Sequence, residues 1–318
     1  MALFRKRSAE VKPSIVIDPL FGDPTARQLQ QALAARDWPT VRSILAAPMT
    51  SNDRTWFMSV ACDDPHLQEW IDQAVAAERG STLPLLLKGG RYVRWAWEAR
   101  GSGLAGSVGK DVWPIWFDRL RRAEDCLDEV VEREPGNAEA WQWLITLGRA
   151  RQVDAEDRWR RFNGLLAAEP AHFGGNRQML QGLMRKWSGS HEQMFEFARK
   201  RTAEHPGTDV PFLIVDAHLE VWDGATFEYL SRREVSDELL AAAEASIWHR
   251  DYQRTRRTPT LLNAFAFCFA AADLHDAADR CFAEIGDNLV TEWPWQYLTA
   301  DAATNYTSMR DYVRDNLS

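Results

Sequence analysis

The sequence predicts an all-α fold, an α-solenoid built from antiparallel helix pairs. Three observations carry this. Apolar residues recur at helical spacing along most of the 318-residue chain, as in Leu120, Ala123, Leu127, Val130 and Val131. No stretch of comparable length alternates with period two. Pro135, Pro170 and Pro206 each close a helical pattern, in "REPGN", "AEPAH" and "EHPGT", at spacings of 35 and 36 residues. A fixed period of this size marks stacked helical units that bury their apolar faces only against neighbours.

The elements follow in order. Residues 1–22 read as a basic tail, ended at about residue 13, followed by a short segment in which "SIVI" is held extended between Pro13 and Pro19. Residues 23–100 form an N-terminal helical region. Its first helix spans 25–36, with Thr25 as cap and Gln28 three residues later in a capping box. Residues 101–110 form a Gly-rich loop that serves as a hinge. Residues 111–228 hold the repeats, with helix patterns at 118–133, 138–149, 154–168, 174–186 and 190–204. Residues 229–318 form a C-terminal helical region, including an Ala-rich helix at 236–249 capped by Ser236.

Helix–turn–helix units of this period with a terminal proline resemble tetratricopeptide repeats. The stretch "NAEAWQWLITLGRA" carries the likeness, with Trp141, Leu144 and Gly148 near the family's positions. In the next unit Arg177 stands where Trp141 does, and each unit is one or two residues longer than the family's. The segments "WEARGSGLAGSV" (97–108) and "KWSGSHEQMFEFAR" (186–199) also resemble a family of bacterial helical-repeat proteins. That family has no established activity, so the resemblance implies a fold and not a function.

Composition narrows the function classes. A net charge of −8 argues against nucleic acid as a partner. No apolar run approaches the roughly 20 residues of a membrane span, so no membrane partner is expected. Cys62, Cys126, Cys268 and Cys281 form no C-x-x-C pair, which predicts reduced, buried thiols and a cytoplasmic protein. The 15 tryptophans are expected mostly in the core.

Tempting chemistry fails on spacing. In "SGSHEQMF", Ser190 reads as an N-cap with Gln193 in a capping box, and Gly189 gives the turn backbone freedom. Adjacent helical residues diverge, so Ser190 and His191 form no nucleophile pair. Phe195 occupies the second His position of an H-E-x-x-H pattern, and no metal site is predicted. Gly101, Gly103 and Gly106 have G-x-G-x-x-G spacing, but a helical pattern precedes them where a dinucleotide fold needs a strand. Leu104 and Asp111 break a P-loop. In "DLHDAADR", Asp273 reads as a helix cap. Asp216, Glu220 and Asp223 share a helix face expected to be solvated, and Arg250, Arg254, Arg256 and Arg257 form a basic cluster beyond a helix end.

The resulting expectation is a non-enzymatic scaffold or adaptor, without cofactor or metal, that binds a protein or peptide in a concave helical groove. Helix phase nominates Gln142, Thr146, Arg149, Gln178 and Arg185 for the groove. The alternative is an enzyme or sensor for a small anionic ligand at loop 100–110, with Arg100, Lys110 and His191 as an anion site.

Overall fold

The computed structural model describes residues 15–101, 106, 108–222 and 226–317. Among these the fold is all-α, with fifteen α-helices and no strand. In order they are α1 (Pro24–Ala34), α2 (Trp38–Leu45), α3 (Ser51–Cys62), α4 (Ile71–Ala77), α5 (Leu83–Arg100), α6 (Val112–Arg133), α7 (Ala138–Arg151), α8 (Ala155–Ala168), α9 (Phe173–Gly182), α10 (His191–Glu204), α11 (Leu213–Trp222), α12 (Arg233–Ala245), α13 (Thr258–Ala271), α14 (His275–Ile285) and α15 (Ala302–Asp315). No described helix is long and apolar enough to cross a membrane. The expected basic tail lies outside the described residues, and so does most of the Gly-rich loop.

The chain divides into two compact units. One comprises Asp23–Val221 with Glu244–Arg257, and the other comprises Met1–Gly22, Trp222–Ala243 and Thr258–Ser318. The first takes in both the 23–100 region and most of the 111–228 region that the sequence reading separates. Its helices pack in chain order, α5 on α6, α6 on α7, α7 on α8, and α9 on both α7 and α8. α7 sits innermost, buried on nearly every face from Glu139 to Ala150.

The regular prolines stand where these helices stop. α6 ends at Arg133, α8 at Ala168 and α10 at Glu204, with Pro135, Pro170 and Pro206 in the turns that follow. Proline has no N–H to continue a helix, and it biases the residue before it away from helical backbone. Two residues beyond the first two prolines stands the cap of the next helix. Asn137 accepts from the Ala140 N–H at 3.1 Å, and His172 accepts through Nδ1 from the Gly175 N–H at 3.1 Å.

Several local expectations need correction. α1 is capped by Asp23, whose Oδ1 accepts from Ala26 N–H at 2.8 Å, with Pro24 at the first helical position; Thr25 is one residue inside. α12 begins at Arg233, and Ser236 lies within it, its hydroxyl donating to the Arg232 carbonyl at 2.9 Å. Val235 and Leu239, both buried at i, i+4, pull that extra turn onto the core. Asp273 is no cap: its φ is 57°, a left-handed turn residue before Leu274 and α14. Ile15–Ile17 has no regular structure. Gly189 is needed for a different reason than backbone freedom. A side chain there would sit 1.9 Å from the Leu183 carbonyl oxygen, in the tight turn that launches α10.

The second unit is organised on α13, which is buried along nearly its whole length and packs on α14 and α15. Phe267, Phe282, Trp295 and Tyr306 stack edge-on or face-on around it. Buried Asn263 is fully engaged within this apolar set. Its amide donates to the Leu289 carbonyl at 2.8 Å and accepts from Trp295 Nε1 at 2.7 Å. All four cysteines are buried, and none is in a disulfide among the described residues.

Candidate functional site: a cationic cavity in the Asp23–Val221 unit

A cavity of about 490 Å³ opens where α3, α5, α7 and α9 converge. Each helix presents residues at helical spacing to it: Thr55 and Ser59 from α3, Arg94 and Trp97 from α5, Gln142, Thr146 and Arg149 from α7, Arg177, Gln178 and Gln181 from α9. Lys186 and Trp187 from the short turn after α9, and Arg257 from the segment after α12, complete the wall. The wall holds five cations and no carboxylate.

Four of the residues nominated by helix phase, Gln142, Thr146, Arg149 and Gln178, line this one cavity. Gln142 and Thr146 are 8% and 7% exposed. Buried polar residues on an inner helix are informative, because burial without a partner costs free energy. Thr146 satisfies itself on the Gln142 carbonyl at 3.0 Å. The Gln142 side-chain oxygen has no partner. Arg185 is exposed and stands outside the lining.

The cations differ in how they are held. Arg177 pairs bidentately with Asp216, at 2.8 and 2.7 Å. Lys186 pairs with Glu220 at 2.6 Å, and Arg94 with Asp63 at 3.1 Å. The acidic face expected to be solvated is therefore occupied by the chain's own cations, and Asp216 is buried; Asp223 lies outside the described residues. Arg149 has no such partner. Its Nη1 donates to Gln178 Oε1 at 2.8 Å, and its Nε is buried without an acceptor. The indoles of Trp187 and Trp97 lie 5.5 and 6.0 Å from the guanidinium carbon. Burial alone pushes Arg149 down to about 10. It remains charged at neutral pH, and the downward push measures the cost of holding that charge there.

Arg257 is also pushed down, first by burial and then by the neighbouring Arg177 charge. Its Nε likewise lacks an acceptor, and its guanidinium lies 5.4 Å from the Phe173 ring. The basic cluster at 250–257 is thus not one solvated patch. Arg250 is exposed, Arg256 pairs with Asp23 at 2.7 Å and Asp53 at 3.2 Å, and Arg257 turns into the cavity.

Below the cavity, Thr55, Glu139 and His172 meet. Thr55 Oγ1 donates to Glu139 Oε1 at 2.6 Å and lies 3.3 Å from His172 Nε2. The trio has the composition of a nucleophile, base and carboxylate, but the wrong proton placement. His172 Nδ1 accepts from the Gly175 backbone, so in the neutral ring Nε2 carries the hydrogen and cannot accept the Thr55 proton. The trio is a buried hydrogen-bond network tying α3 to α7 and α9.

The residues nominated for an anion site at the Gly-rich loop lie elsewhere. Arg100 is 5.3 Å from the Trp97 ring and 5.6 Å from the Trp116 ring, and it donates to the Gly101 carbonyl at 3.1 Å. Lys110 is exposed. His191 is the first residue of α10, behind the cap Ser190, which accepts from Gln193 N–H at 3.2 Å. None of the three lines the cavity. Residues 102–105 and 107 lie outside the described residues.

Sequence reasoning did not assemble Arg94, Arg177 and Arg257 into a site. One signal was available: Arg177 holds the register of Trp141 in the following unit, a charge where the first unit has an aromatic. Comparison of the chain with family models, with curated proteins and with solved structures returns no match.

Proposed function

We propose that this chain is a non-enzymatic binding module, a scaffold or adaptor that takes an anionic segment of a protein or peptide partner into the cavity of the Asp23–Val221 unit. In this reading α6 to α10 form tetratricopeptide-like antiparallel pairs, stacked so that one face is left for contact. The carrying observation is the composition of the wall: five cations, three amides and two half-buried indoles, with no carboxylate. Its volume falls in the range of specific ligand sites. Arginine and tryptophan are the side chains that most often dominate binding energy at interfaces.

Fluorescence anisotropy on purified protein tests this, with labelled acidic, neutral and basic peptides of equal length. Acidic peptides should bind, and Arg149→Glu should abolish that binding without loss of helical circular dichroism. Equal binding of basic peptides, or an Arg149→Glu protein that binds as the parent does, would refute the reading.

A further inference from the structure

We infer that the cavity continues past Arg149 into a second subsite, so that the site is one groove between α7 and α9 for an extended peptide of about five residues, with a carboxylate side chain placed at Arg149. The inference rests on the cavity being the site for an acidic segment, and it specifies that segment's length and the place of its charge.

A second cavity, of about 220 Å³, lies beside the first. Arg149, Lys186 and Trp187 line both, so these side chains form the partition between them. Along α7 the first cavity is lined by Gln142, Thr146 and Arg149, and the second by Arg149, Gln152 and Val153. Along α9 the first takes Gly174, Gln178 and Gln181, and the second takes Gly182. α9 packs on α7, and both helices pass from the first cavity to the second in chain order. The Arg149 Nη1 bond to Gln178 Oε1, at 2.8 Å, crosses between the two helices at the partition. From Gln142 to Gln152, the residue after α7, is about 15 Å along the helix. An extended chain at about 3.3 Å per residue covers that in about five residues.

The place of the charge follows from the partition. Lys186 already has Glu220 at 2.6 Å. Among the described residues Arg149 has no carboxylate within ion-pair distance, and its acceptor is the neutral Gln178 amide. A ligand carboxylate in place of that amide makes a charge-assisted bond, about twice as strong as a neutral one. It also releases Gln178 from the bridge and opens the way between the cavities. On the first side Gln142 lies about three extended residues from Arg149. It is buried, and its side-chain oxygen has no donor, which makes it the acceptor for a peptide N–H. On the second side the lining includes the small residues Gly148, Ala155 and Gly182. The carboxylate there, Asp154, is turned to cap α8, its Oδ1 accepting from the Asp157 N–H at 2.8 Å. That side therefore takes small, uncharged residues.

Isothermal titration calorimetry on the full chain tests the groove, with acetyl-Ser-Gly-Ser-Glu-Ser-Gly-Ser-amide, its Gln-for-Glu counterpart and acetyl-Glu-amide. The long Glu peptide should bind at least about tenfold more tightly than either of the others. Gly182→Leu fills the second cavity. A side chain there first meets that of Arg158, at 3.7 Å, an ordinary contact. This variant should weaken the long peptide about tenfold and leave acetyl-Glu-amide unchanged. If it does not fold, Ala155→Phe, from an exposed position on α8, fills the same cavity. Gln178→Glu gives Arg149 a carboxylate within the chain and should abolish binding, and Gln178→Ala should keep it. Long and single-residue ligands that bind alike, or a long peptide indifferent to both cavity-filling variants, overturn this inference and leave the acidic-segment reading standing. A Gln178→Glu protein that binds as the parent does also overturns it. Equal binding of the Glu and Gln peptides, or no binding by any of them, removes the acidic-segment reading and this inference with it.

Discussion

Arg149 of α7 donates to the side-chain oxygen of Gln178 on α9 at 2.8 Å, so a buried cation is held by a neutral amide where an ion pair would be expected. This arrangement costs stability and keeps the charge available. Replacing an uncompensated buried charge by an apolar group of similar length is commonly stabilising. Arg149→Met should therefore raise the unfolding free energy of the unliganded protein by about 1 kcal/mol, read by urea denaturation at pH 7. The sign follows from the guanidinium's position. Because the folded-state value is lowered to about 10 from the ordinary arginine range, the folded chain binds fewer protons than the unfolded chain between the two. The cost is present in full at pH 7 and is relieved only as pH rises through about 10. A variant less stable than the parent would show that Arg149 is a structural residue.

Helix phase made part of this site legible. Gln142, Thr146 and Arg149 fall at i, i+4 and i+7 on α7, and one stripe of an ideal helix faces one way. What phase cannot supply is the partner of each charge. Asp216 and Glu220 have the pattern of a solvated face, and only the fold brings Arg177 and Lys186 to them. Arg257 lies far along the chain in a run of arginines, and nothing local separates it from exposed Arg250. The chain's net charge of −8 likewise conceals a cavity lined by five cations and no carboxylate, since an average over the chain says nothing about one wall.

Asp209 is 1% exposed, and burial raises its carboxyl above the usual range despite the Tyr252 hydrogen bond and the Arg257 charge. A raised folded-state value means the folded chain binds more protons than the unfolded chain above the ordinary value of 3.8. Stability contributed here is present at low pH and is lost as pH rises through the folded-state value. Asp209→Asn keeps an acceptor for Tyr252 and removes that loss. Its stability should fall less than the parent's as pH rises from 4 to 7. A pH dependence identical to the parent's would exclude Asp209 as its source.

Asn263 is the polar centre of the second unit's core. Asn263→Leu leaves the Trp295 Nε1 and the Leu289 carbonyl without partners in an apolar surround. Each orphaned group costs about 1–3 kcal/mol. The substitution should destabilise by about 2–4 kcal/mol, seen as a lower urea midpoint. A change under 0.5 kcal/mol would mean that water or repacking replaces the amide.

The thiols report on burial. Burial pushes Cys126 up to about 11 and pushes Cys62 and Cys281 higher still. The thiolate is the reactive form, so an aromatic disulfide reagent at pH 8 should titrate no cysteine promptly in the native protein and four in guanidinium. One fast native thiol would identify a region that opens.

Gly174 tests the cavity's geometry independently of its charge. A methyl group on Gly174 would sit 1.8 Å from the Gln142 side-chain oxygen. That atom is the far end of a flexible side chain with no hydrogen bond to lose, so the amide can swing aside. The cavity is the space open to it. Gly174→Ala should also remove some backbone freedom from the unfolded chain at a helical position. The net change in stability should stay within about 1 kcal/mol. Binding of acidic peptide should weaken, because the displaced Gln142 amide occupies the volume it needs. Anisotropy and thermal unfolding on the same preparation read binding and stability. Unchanged binding, in a protein of unchanged stability, would place the ligand away from the α7–α9 side of this cavity.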